Sequence, residues 1–153
     1  IKQENNRAIY IFKDAKDLKE GFSYDIQVNQ IYDFYGLKEI KDFNILKENS
    51  SFKNYKDLFL DGSKIDIFDF KYENEVITNL KGFITKGNLQ INGGKTIKLF
   101  AKDKNILPKD GSTIEILNAQ LGSFRGNMQI IFHTKDDYKE LKWSKKVAKK
   151  IDC

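Results

Sequence analysis

The side chains that could do chemistry in this sequence are few, and those that recur are aromatic and basic. There is one histidine, His133, and one cysteine, Cys153. Zinc fingers, Cys/His metal clusters and most Cys–His nucleophile pairs are thereby excluded, and an internal disulfide is impossible. Carboxylates such as Asp14, Asp17, Asp61, Asp66 and Asp103 are scattered through loop-like stretches, without metal or acid/base spacing. Asp61-Gly62 reads as a turn, because the ligand spacing of a calcium loop is missing. Gly93-Gly94-Lys95 reads as a hairpin turn and not a phosphate loop. A small complete enzyme would need Asp14, Asp103 and His133 to converge in a cleft. The expectation is a non-catalytic chain with no cofactor and no metal.

The recurring chemistry is a flat ring beside a cation. In Thr96–Phe100, Ile97 and Leu99 take the inward places of a half-buried strand, so Lys98 and Phe100 point outward and Lys102 follows. In Ile9–Phe12, Ile9 and Ile11 face inward, which leaves Tyr10 and Phe12 outside with Lys13 next. Two turns add Phe34-Tyr35 and Phe124-Arg125. Single-strand binders combine a basic groove with aromatic platforms, each stacked base contributing roughly 1–3 kcal/mol. The planar fork of Arg125 suits a phosphate or a base face. The candidate nucleic-acid-binding set is therefore Tyr10, Phe12, Lys13, Tyr35, Lys98, Phe100, Lys102, Phe124 and Arg125. Strands favour aromatics in general, so packing of these rings against a neighbouring module stands as the alternative to stacking.

The elements that would position this set repeat. Gly21–Ile40 (GFSYDIQVNQIYDFYGLKEI) lies over Gly111–Ile130 (GSTIEILNAQLGSFRGNMQI) without a gap. Identities fall at Gly21/Gly111, Ile26/Ile116, Gln30/Gln120, Phe34/Phe124, Gly36/Gly126 and Ile40/Ile130. Upstream, Ile9–Phe12 matches Ile97–Phe100. Each copy reads as a strand, a loop, a second strand whose alternation slips by one, an aromatic-Gly hairpin turn and a return strand. The slip falls near Leu117-Asn118 in the second copy and before Ile31 in the first, the mark of a β-bulge. His133 matches Phe43, a structural position. Val76–Thr85 and Leu89–Ile91 read as two further strands ahead of the second copy. The first copy lacks such a prelude. Either its opening strands were cut away, or Asn44–Lys71, with a helical turn at Tyr55–Leu60 and a strand at Ile65–Phe70, fills their place.

The 153 residues allow one ordinary domain or two small ones. The organisation expected is a first module over 1–71, a second over 72–134 and a basic C-terminal helix over 135–153. In Asp136–Ile151, Trp143, Val147 and Ile151 recur on one stripe and Lys142, Lys145, Lys146, Lys149 and Lys150 on another. The lysine stripe reads first as a solvated face, with Trp143 docking the helix. The net charge of +5 is compatible with an acidic partner. No apolar run approaches the roughly 18 residues of a membrane span, so no integral membrane segment is expected. The chain begins at Ile1 and not Met, which suggests a processed product or a fragment.

The string Ile9–Ile40 resembles the OB-type modules that accompany catalytic domains in secreted bacterial nucleases. There, a short strand with an aromatic is followed by a Gly-led bulged strand and an aromatic-Gly-Leu turn. Here Ile9-Tyr10-Ile11-Phe12 takes the first part, and Gly21, Ile26, Val28, Tyr35-Gly36-Leu37 and Ile40 the second. Tyr72–Val76 resembles the link that opens the next module. Asn29 departs from the family by standing where it has a glycine, and no catalytic motif of those nucleases is present. The resemblance implies an all-β fold of tandem OB-fold-like five-stranded barrels. It also implies binding of single-stranded DNA or RNA, a covalently linked catalytic domain as partner, and an extracellular, cell-surface or periplasmic location. The rival reading is a protein- or glycan-interaction module of an exported bacterial protein.

Overall fold

The computed structural model describes residues 1–3, 6–52 and 54–142. The protein is all-β. Its first part holds β1 (Tyr10–Ile11), β2 (Phe22–Phe34) and β3 (Leu37–Phe52), a three-stranded sheet in the order β1-β3-β2. The second holds β4 (Leu60–Asp61), β5 (Val76–Thr78), β6 (Leu80–Thr85), β7 (Asn88–Gln90), β8 (Thr96–Ala101), β9 (Thr113–Ile116), β10 (Ala119–Phe124), β11 (Asn127–Phe132) and β12 (Tyr138–Leu141). These pair in the order β12-β9-β6-β7-β8-β11-β10-β5-β4. Alternation drives the second sheet. Ile97, Leu99 and Ala101 are buried while Thr96, Lys98 and Phe100 are exposed. The core is formed by Ile77, Ile84, Leu89, Leu99, Ile114, Ile116, Leu121, Ile130, Phe132 and their neighbours.

Two expected strands are each broken once. Val76–Thr85 divides at Asn79, whose positive φ of 58° suits an asparagine. Its N–H donates to Ile116 O and its side-chain amide to both Asp61 carboxylate oxygens. The slip read at Leu117-Asn118 divides β9 from β10. Both freed amides donate to one acceptor, Asp137 O, at 2.9 and 3.0 Å. The two broken runs meet twice, with β6 antiparallel to β9 and β5 antiparallel to β10.

The two copies share their pairing register as well as their residues. Ile11 pairs with Ile40 in a parallel ladder, and its counterpart Leu99 pairs with Ile130 in another. Phe34 faces Leu37 across the first turn and Phe124 faces Asn127 across the second. The likeness continues past the aligned residues. Asp25↔Lys47 and Tyr24↔Glu48 in the β2–β3 hairpin correspond to Glu115↔Lys139 and Ile114↔Glu140 in β9–β12.

Three expectations are corrected. The strands do not form two closed five-stranded barrels; they form a three-stranded and a nine-stranded sheet. The physical reason lies in β2 and β3, which extend into one long two-stranded hairpin in which residues 44–52 continue β3. Ile65–Phe70 is not a strand. Asp66 accepts from Phe68 N–H and Asp69 from Lys71 N–H, and these local turns compete with a ladder. The helix expected over Asp136–Ile151 does not begin. Thr134 and Asp137 form a reciprocal capping box around a single 3-10 turn, and Tyr138–Leu141 then pairs with β9. The rest of that expected helix, with Trp143 and the lysine stripe beyond Lys142, lies outside the described residues. Tyr55–Leu58 is a 3-10 turn. Among the described residues, no helix is long and apolar enough to cross a membrane.

Candidate nucleic-acid interface

The two repeat-related hairpin turns end at the same place. Tyr35-Gly36 and Arg125-Gly126 take positive φ at both central positions (50° and 98°, 50° and 83°), the geometry that matches strand twist in two-residue turns. Asparagine usually fills the first of these positions; here it holds an aromatic and an arginine. Asp33 fixes the first turn by accepting from Gly36 N–H at 2.7 Å and Lys38 Nζ at 2.8 Å. The Lys38 contact, foremost, holds the Asp33 carboxyl below its ordinary range.

Across the turns, Arg125 N–H donates to Tyr35 O at 3.3 Å. Their side chains form one cluster. Ring centroids of Tyr35 and Phe124 are 5.0 Å apart, and those of Phe34 and Phe124 are 6.0 Å apart. The Arg125 guanidinium carbon lies 4.9 Å from the Tyr35 centroid and 5.2 Å from that of Phe124, within cation–π range. Tyr35 remains 52% exposed. Arg125 forms no ion pair among the described residues.

Lys98 joins this group through strand register. It pairs with Gln129 on β11, and Gln129 pairs with Gly122 on β10, two residues from Phe124. Lys98, Phe124, Arg125, Asn127, Met128 and Gln129 line a shallow hollow of about 180 Å³. Asn127 and Gln129 were not among the expected residues. Their signal was the run Asn127–Phe132 itself. Met128, Gln129, Ile130 and Phe132 are all buried, and a strand covered on both faces shows no clean alternation.

The remaining expected residues are spread out. Phe100 sits two residues beyond Lys98 on the same outward face, 44% exposed, and Lys102 follows the strand end. Phe12 is 52% exposed and Lys13 is exposed beside it, at the end of β1. Tyr10 is committed to packing: its ring stacks on His133, with centroids 5.6 Å apart and planes at 22°. His133 Nε2 donates to Gln120 Oε1 at 2.8 Å; Gln120 Nε2 donates to Asn74 Oδ1, and Asn74 Nδ2 to Lys38 O. This chain ties the second copy to the first. Burial lowers the His133 pKa, with Asp137 acting in the opposite sense. Glu39, paired with Tyr10 across β1–β3, is buried with one oxygen lacking a hydrogen-bond partner among the described residues, and burial raises its pKa.

The three residues that a small enzyme would need, Asp14, Asp103 and His133, follow the ends of β1, β8 and β11. Asp103 accepts from Asn105 N–H as a turn cap, Asp14 precedes a 3-10 turn, and His133 is held by Gln120. Among the described residues, no group of three His, Cys, Asp or Glu side chains is placed to hold a metal ion. Compared with protein-family models and with curated protein sequences, the chain matches none.

Proposed function

We propose that this chain is a non-catalytic module that binds single-stranded nucleic acid, DNA or RNA, as an accessory to a secreted bacterial nuclease. The observation that carries the reading is the cluster of Tyr35, Phe124 and Arg125, two exposed hairpin turns of related sequence meeting beside Lys98. Rings offer faces for bases, and the two cations offer partners for phosphates. The turn residues support it too, because aromatic and basic side chains at positive φ are costly locally and mark places where the side chain is wanted. The pairing order over Val76–Phe132 supports the OB-type reading of that stretch. There β7 lies between β6 and β8, β8 runs parallel to β11, and β10 and β9 return to β5 and β6. OB-type modules bind oligonucleotides on one strand face and its loops.

Titration of labelled single-stranded DNA at low and moderate salt tests the proposal. Saturable binding that weakens as salt rises is expected, with Phe124→Ala or Tyr35→Ala each removing roughly 1–3 kcal/mol. Absence of binding at low salt, or affinity indifferent to salt, overturns it.

A further inference from the structure

The correspondence between the copies leaves one of them uncovered. In the second, the β9–β10 run is flanked on one side by β12 and β11 and on the other by β6 and β5. In the first, β2 has a neighbour on one side only, β3, among the described residues. The face that strands like β5–β7 would close is apolar. Ile26 lies opposite Ile45 and Val28 opposite Phe43, so all four side chains point the same way. Two register shifts follow, and they place Ile31 opposite Ile40 on that same face. Asn29 and Asp42 turn to the other side, where Asn29 Nδ2 donates to Asp42 Oδ2 at 3.1 Å. Ile31 is 56% exposed and Val28 42%, whereas the counterpart of Ile31, Leu121, is fully buried at 0%.

We infer that the edge of β2 over Ser23–Ile31, unpaired among the described residues, and this face take up a separate stretch of extended polypeptide, antiparallel to β2 and patterned like Val76–Gln90. The second copy supplies the pattern. Ile77, Leu80, Ile84 and Leu89 are the buried side chains of β5–β7, in one core with Ile114, Ile116, Ala119 and Leu121. A long unpaired edge beside exposed apolar side chains is a template for strand addition, and added strands draw affinity from main-chain hydrogen bonds and specificity from alternate side chains. A lipid or small ligand would satisfy the apolar face and leave the edge amides of β2 unmatched.

The full chain is titrated with a labelled synthetic peptide of sequence VITNLKGFITKGNLQ, and hydrogen exchange is followed at Ser23–Ile31. Saturable binding with slowed exchange on β2 is expected, a scrambled peptide not binding. Ile31→Asp and Val28→Asp, both at exposed positions, should each weaken the complex at least about tenfold. The inference is overturned if the peptide does not saturate. Unchanged affinity in both variants, or slowed exchange on β10 in place of β2, overturns it equally. Self-association of the chain that protects β2 in the absence of peptide would name a second copy as the occupant and likewise reject it.

Discussion

Arg125 stands where backbone geometry and side-chain chemistry pull in different directions. A non-glycine residue at positive φ costs roughly 1–2 kcal/mol, and a cation over an exposed ring returns about 0.5–1 kcal/mol. The turn cost is the larger, so Arg125→Asn should leave thermal stability unchanged or slightly raised while weakening single-stranded DNA binding. Loss of binding together with a large fall in melting temperature would mean that Arg125 is structural. At this scale the sequence was informative about type and less so about company. The positions of Lys98, Phe100, Phe124 and Arg125 followed from alternation and turn chemistry. That Tyr35 and Phe124 would touch did not, because contact between two turns far apart in sequence depends on how the sheets pack. Tyr10 was legible as an aromatic on a strand, but its partner His133 follows β11, a strand of the other sheet.

The elements show where periodicity suffices and where it misleads. Thr96–Ala101 and Thr113–Ile116 were readable because one face is buried, which pins the register. The C-terminal reading failed because lysines at helical spacing beyond Asp136 drew the helix back into Tyr138–Leu141. The pair Lys139-Glu140, which repeats Lys47-Glu48, was the signal for a strand there. Ile65–Phe70 alternates like a strand, but Asp66 and Asp69 claim its amides. Close packing between elements offers its own check. A Cβ added at Gly82 would stand 2.5 Å from Gln90 O and 2.6 Å from Leu89 Cδ1. Gly82→Ala should therefore push β6 from β7 and destabilise the protein by about 1–3 kcal/mol, read as a lowered urea midpoint. An unchanged midpoint would show that β7 yields without cost.

At the scale of the whole molecule, the two parts are joined by polar groups whose protonation matters. Burial favours the neutral His133 imidazole in the folded protein. As pH falls through the ordinary imidazole value of about 6.5, the unfolded chain gains a proton that the folded one resists, and stability is lost. His133→Phe, which installs the residue found at position 43, strands Gln120 Oε1 and should lower stability at every pH. It should also flatten the decline between pH 8 and pH 5.5. Melting curves across that range check it, and a slope unchanged by the substitution would assign the decline to other groups. Glu39 acts in the other direction. Its raised pKa favours the protonated form when folded, so its contribution is present below the ordinary carboxyl value and is lost as pH rises from there through the raised one.

Residues at the start of the chain and after the long hairpin are fastened to one another. Glu75 accepts from Lys2 Nζ at 2.8 Å and from Ala8 N–H at 3.1 Å; Lys2 Nζ also reaches Leu58 O, and Arg7 donates to Phe70 O and Glu73 O. The stretch between, with β1, β2 and β3, is thus an excursion whose two ends are pinned at one spot. Closing such a loop costs an entropy that grows only with the logarithm of its length. The Tyr35-Gly36 turn is docked on Phe124 and Arg125, so matched residues added to or removed from β2 and β3 at the end away from that turn change the arm's reach while its anchorage stays in place.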